Sequence, residues 1–266
     1  PILLSLGCLI LIAGGLVSYF TYQYEKESLF TQASKELHVS ADAFVRALND
    51  IFEPALVLSR TIVDSGIWRE DPAGNADSFF SLTTGPVRQF EHLNGAFIGF
   101  PDGRFFHIQN LTLSGARNME RVAIHRRTIG DPINQPEGHW ELYNPVSRKW
   151  AYDKTRSEPF DPRTRPWYTS ALEANGPVWT ESYVFASSGQ IGVTYAQPLF
   201  DDTGALWGVL GIDLSLNTLS RTMLQTADDL AGIGNLVFAT DLGNKMLGHP
   251  DFVEQAEEMR RDTATF

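Results

Sequence analysis

The run Phe160-Asp161-Pro162-Arg163-Thr164-Arg165-Pro166-Trp167-Tyr168 sets a guanidinium fork beside two aromatic rings. Prolines on either side of Arg165 fix the backbone, so the run reads as a rigid turn. Such a fork can take both oxygens of a small carboxylate while the rings exclude water. The same residues would also suit a structural turn in which an arginine stacks on a tryptophan. Farther along, the apolar run Ala205 to Leu214 contains Gly211 and Asp213. Gly211 is expected to leave space, so that Asp213 looks into a hollow. Asp213 could instead cap a helix starting near Leu216, although Ser215 could do that. With Trp167, Tyr168 and Tyr183 as walls, Arg165 and Asp213 would form a dipolar slot. The wrong guest would leave buried charges unpaired there.

Other chemistries find little support. A net charge of −11 argues against nucleic acid, which calls for clustered Lys and Arg. His38, His92, His107, His125, His139 and His249 are scattered without ligand-like spacing, so no metal is expected. No cofactor is expected either, because there is no phosphate-binding glycine loop. Nor is there a G-x-S-x-G, an H-E-x-x-H or a plausible triad, so no catalytic residues are assigned. Glu173 and Glu181 could be imagined as acid and base, but nothing orients them.

The slot needs a scaffold, and 266 residues with 43% hydrophobic content can build one large or two modest domains. The lone Cys8 rules out an intrachain disulfide. Ile2 to Tyr22 carries no charge, and roughly 20 such residues span a hydrocarbon core of about 30 Å. Residues 1–22 are therefore expected to form a transmembrane helix, with Tyr19, Phe20 and Tyr22 at the interface. Next, Phe30, Ala33, Leu37, Ala41, Phe44, Leu48, Ile51, Ala55, Leu58 and Ile62 recur every three or four positions. That stripe predicts a long amphipathic stalk helix over 23–66, kinked at Pro54 and stopped at Gly66. It would rise from the membrane and carry a domain along its length.

Glu70 to Asp77 reads as a loop and Phe79 to Phe90 as a short helix. Gly95–Phe100 and Arg104–Gln109 flank a Pro-Asp-Gly turn and predict a hairpin. A similar phrase returns at Asn235–Ala239 and Lys245–His249. Between them, Gly130 to Asp153 reads as connecting sequence that is partly strand. Trp179–Phe185 reads as one strand, and Gln190–Leu199 and Ala205–Leu214 as two more in an antiparallel meander. In the last strand, Leu206, Leu210, Ile212 and Leu214 are expected to face the long helix, opposite Trp207, Val209 and Asp213. The fold class is α+β with two PAS-like antiparallel-sheet modules: a membrane-distal one over 67–226, and a membrane-proximal one begun at 227–266. Because the chain opens on proline and stops inside a unit, both ends are expected to be open.

The order of apolar helix, long helix and PAS-like sheet with D-P-R-x-R-P-W-Y and G-x-D resembles the double Cache extracytoplasmic sensor domain. The likeness covers 23–266. It implies a bacterial inner-membrane receptor with a periplasmic or extracellular sensor, a homodimer, and a small-molecule ligand. In amino-acid-binding members, the matching positions imply that Arg165, Trp167 and Tyr168 hold the ligand carboxylate, and Tyr183 and Asp213 its ammonium. Phe160 stands where that motif has tyrosine, removing a hydrogen bond to a charged group worth about 1.5–3 kcal/mol. Other small carboxylates, amines or γ-amino acids thus stay open beside α-amino acids. The wording around Gly99–Phe106 and Phe185–Gly189 looks most like the sensor half of a bacterial adenylate/guanylate cyclase. Chemoreceptors, histidine kinases and diguanylate cyclases use the same sensor, and a non-sensing structural ectodomain is a further alternative.

Overall fold

The computed structural model describes the backbone of residues 2–67, 72–110, 124–129, 137–144, 149–157, 160–217, 239–240 and 246–248; side chains are described at 7, 9–39, 41–43, 45–67, 77–110 and 160–217. Contacts divide the chain into two units, Pro1–Arg46 and Ala47–Phe266. Helix α1 runs Ile2–Ser65 with Pro54 inside it. It ends as predicted at Gly66, whose φ of 68° suits a residue without a Cβ.

In the first unit, the apolar positions Phe30 and Leu37 of the predicted stripe are exposed. In the second, Ile51, Ala55, Leu58 and Ile62 are buried. The side chain of Phe44 lies outside the described residues. So do parts of the expected membrane span, namely Pro1 and the side chains of residues 2–6 and Cys8. Among the described residues, no helix is long and apolar enough to cross a membrane.

Helix α2 spans Pro72–Gln89, longer than the sequence suggests. Its start falls within the Glu70–Asp77 stretch read as loop, because proline is preorganised for the first helical position. Strands β1 (Leu93–Gly99) and β2 (Phe105–Asn110) form the expected hairpin. The stretch 130–153, read as partly strand, holds β4 (Glu137–Asn144) and the start of β5 (Lys149–Ser157), which with β3 (Ile124–Ile129) before them form a further meander. Helix α3 spans Pro166–Ala174. The predicted strand Trp179–Phe185 is two short ones, β6 (Val178–Trp179) and β7 (Tyr183–Val184), both paired to β8 (Ile191–Phe200). Strand β9 is Leu206–Ser215. Among the described residues these nine strands make one antiparallel sheet, in the order β5-β4-β3-β2-β1-β9-β8-β6, with β7 also on β8. Strands β10 (Ala239–Thr240) and β11 (Met246–Gly248) pair separately, where the second hairpin is expected.

Strand alternation splits the core of the second unit. On one face, Ser59 of α1 donates to Gln197 Oε1 at 2.9 Å, and Phe80 of α2 packs 6.1 Å from the Phe106 ring. Phe97, Phe105, Ala196 and Val209 lie on the other face, packed with Trp167, Tyr168 and Ala171 of α3. Leu206 joins that second cluster rather than the helix face, while Trp207 stands edge-on to Phe100 at 5.0 Å. A register shift between Leu199 and Phe200 puts the start of β9 out of the regular alternation.

Candidate functional site

The turn before α3 separates its two arginines by role. Asp161 caps the single 3-10 turn Pro162–Thr164, its Oδ1 accepting from the Arg163 N–H at 2.9 Å. The Arg163 guanidinium folds back on the same carboxylate at 2.8 Å and donates to the Pro101 carbonyl at 3.2 Å. This side-chain hydrogen bond holds the Asp161 carboxyl below its ordinary range. Arg163 therefore fastens the turn to the β1–β2 hairpin. Arg165 follows in extended backbone (φ −84°, ψ 147°), the conformation a residue before proline prefers. Its guanidinium carbon lies 5.8 Å from the centre of the Phe160 ring.

Arg165 and Asp213 line one cavity, with Phe97, Phe105, Phe160, Trp167 and Tyr183 among its walls. Its volume is about 30 Å³, room for one or two waters. Among the described residues, Arg165 makes no ion pair with Asp213 or any other acid. Tyr168 is buried but does not line the cavity; it lies 5.5 Å from Trp167 in the cluster beneath.

Gly211 leaves no open hollow beside Asp213. A Cβ there would run into the Phe97 ring, so that ring fills the space. Two more rings rest on glycines in the same way, Trp167 on Gly99 and Phe185 on Gly192. Three of the aromatic side chains that line the cavity thus rest against bare backbone.

Among the described residues Asp213 caps no helix. It is 3% exposed, and its Oδ1 accepts from Thr194 Oγ1 at 2.5 Å. Tyr183 Oη lies 2.6 Å from the same Thr194 oxygen. Thr194 faces Asp213 directly across the β8–β9 ladder, and its backbone N–H donates to Thr180 Oγ1 at 3.0 Å. Burial pushes the Asp213 carboxyl up to about 8, opposed by the Thr194 hydrogen bond and by Arg165. Burial also raises the Tyr183 hydroxyl, and the Asp213 charge adds to this.

Thr194 is absent from the sequence reading, and His107 appears there only among the scattered histidines. His107 is buried at the cavity between Phe97 and Phe105, with ring centres 5.7 and 5.6 Å away. It is also the register partner of Phe97, a relation visible only once β1 and β2 are paired. Phe185, Ala186 and Ser187, from the β7–β8 turn, complete the lining.

Residues 131–221 match the family model of the methyl-accepting chemotaxis protein-like first PDC sensor domain. Adenylate cyclase 1 of Rhizobium meliloti is 26% identical over 230 residues, which is 82% of this chain and 33% of the cyclase. The chain thus spans about a third of that relative's length. The sensory domain of the Campylobacter jejuni chemoreceptor Tlp3 superposes with a TM-score of 0.52 at 17% identity, covering 84% of this chain and 72% of that one. The ligand-binding domain of the Pseudomonas aeruginosa chemoreceptor PctC, solved with GABA, gives 0.50 at 22% identity, covering 82% and 77%. The Cache-type sensor likeness carried by the sequence is borne out over the matched segment and in the fold.

Proposed function

We propose that this chain is the extracytoplasmic sensing part of a bacterial membrane receptor, and that its cavity takes a small amino acid, amine or carboxylate. One observation carries the reading: Arg165 and Asp213 open into the same cavity without neutralising each other. The buried Asp213 carboxyl is costly to ionise away from the half-buried Arg165 guanidinium unless a guest of complementary charge joins the two. Arg165 with Trp167 would take a carboxylate, and Asp213 with Tyr183 an ammonium. A γ-amino acid carries both groups, and the PctC receptor was solved with one.

A cavity of about 30 Å³ must widen to admit such a molecule, so ligand would favour a more open arrangement. Signalling would pass through α1 to an output domain outside this chain. The cyclase relative favours a nucleotide cyclase there, and the family match favours a chemoreceptor. Residues 1–22 would anchor the protein in the inner membrane, and two copies would pair. The exposed apolar side chains of Leu9, Leu11, Val17 and Phe20 support the anchor.

Calorimetric titration with GABA, L-amino acids and short carboxylic acids tests the ligand reading. Micromolar binding by at least one class is expected, and no binding by any of them would overturn it. Sedimentation with the membrane fraction after alkaline washing tests the anchor.

A further inference from the structure

We propose that Thr194 is a positioning residue whose hydroxyl makes the Asp213 end of the cavity read amines and reject hydroxyls. The proposal rests on the ligand reading above and goes further, because it assigns the direction of each proton. An ammonium guest requires the ionised carboxylate, which can only accept, so in that state the 2.5 Å contact is a donation from Thr194 Oγ1 to Asp213 Oδ1. Having given its single proton there, Thr194 can only accept from Tyr183 Oη at 2.6 Å. Tyr183 has then spent its own proton as well.

The relay has two consequences at the cavity wall. Asp213 Oδ2, which has no donor among the described residues, and the lone pairs of Tyr183 Oη are both acceptors. A primary ammonium brings three donors and can serve both. A hydroxyl brings one donor and sets its own lone pairs against the remaining acceptor. Thr194 is 0% exposed, and its backbone is held by Thr180 on both sides, the Thr180 N–H donating to its carbonyl at 2.9 Å. The hydroxyl thus has little freedom to point elsewhere.

The test uses the intact chain and matched probes: GABA against 4-hydroxybutyrate, and L-isoleucine against its 2-hydroxy analogue. The wild type is expected to prefer the amine by about 100-fold, in line with a hydrogen bond to a charged group. Thr194→Val keeps shape but frees the Tyr183 proton to turn into the cavity, and the preference should fall to about 10-fold or less. Thr194→Ser should restore it. Tyr183→Phe, which leaves the Thr194–Asp213 bond in place, should lower the preference by an intermediate amount.

A second readout needs no ligand. In a carboxyl-carbon NMR titration, Thr194→Val should move the Asp213 midpoint upward, while Thr194→Ser leaves it unchanged. An unmoved midpoint, or an unchanged amine preference in folded Thr194→Val, would overturn the relay. If the wild type binds none of the four probes, the ligand reading falls and the NMR titration still decides on the relay.

Discussion

Raising the pH from 7 to 9 should strengthen binding of an ammonium ligand about tenfold. The buried Asp213 carboxyl titrates near 8 in the unliganded fold. At pH 7 roughly nine in ten molecules therefore hold it protonated, whereas an ammonium requires the carboxylate. Forcing that ionisation lowers apparent affinity by a factor of about 11 at pH 7 and only about 1.1 at pH 9, a difference near 1.4 kcal/mol. The displaced proton must go to the buffer. Calorimetry at pH 7 in two buffers of different ionisation enthalpy should then report about 0.9 proton released per GABA bound. Acetate, which needs only Arg165, should show no such release. The same group sets the slope of stability in the unliganded protein. Because folding raises its titration point above the unfolded value of 3.8, its stabilising protonation is complete below about pH 4 and lost as pH climbs through 8. Asp213→Asn should flatten that slope. Affinity constant between pH 6 and 9, with no proton released, would refute the reasoning.

Other perturbations separate the parts of the site. Arg165→Ala should weaken carboxylate binding about 10- to 100-fold with thermal stability nearly unchanged, since Arg165 makes no ion pair among the described residues. Arg163→Ala should do the opposite, costing about 1 kcal/mol in chemical denaturation through the lost Asp161 clamp while affecting binding only through a loosened turn. Gly211→Ala should displace the Phe97 ring, cost about 1–3 kcal/mol and abolish binding in calorimetry. Phe160→Tyr should restore a hydroxyl at the carboxylate end and tighten binding of acids by about tenfold or more; an unchanged affinity would mean that the ring edge does not face the ligand.

What could be read ahead of the structure was whatever local chemistry determines. Two prolines fix the backbone around Arg165 wherever the rest of the chain goes, and alternation from Val209 onward places Asp213 opposite Leu210, Ile212 and Leu214. The β3–β5 meander stayed obscure because Ile124–Ile129 and Lys149–Ser157 mix charged and apolar residues without a clean period of two. The place of Thr194 and His107 at the cavity was invisible for another reason. Their importance depends on which residue faces them on a neighbouring strand, and register is a tertiary property. Gly211 shows the limit from the other side: the missing Cβ was legible, but that the Phe97 ring would occupy its place was not.

With Phe97, Trp167 and Phe185 seated on glycines, the depth of the pocket is set by main chain, which substitution barely alters. Phe160, Ala186 and Ser187 line the same cavity without being buried, so substitution there disturbs the core least. A lineage changing ligand could therefore rewrite those three positions one at a time, each step leaving a folded protein on which selection can act.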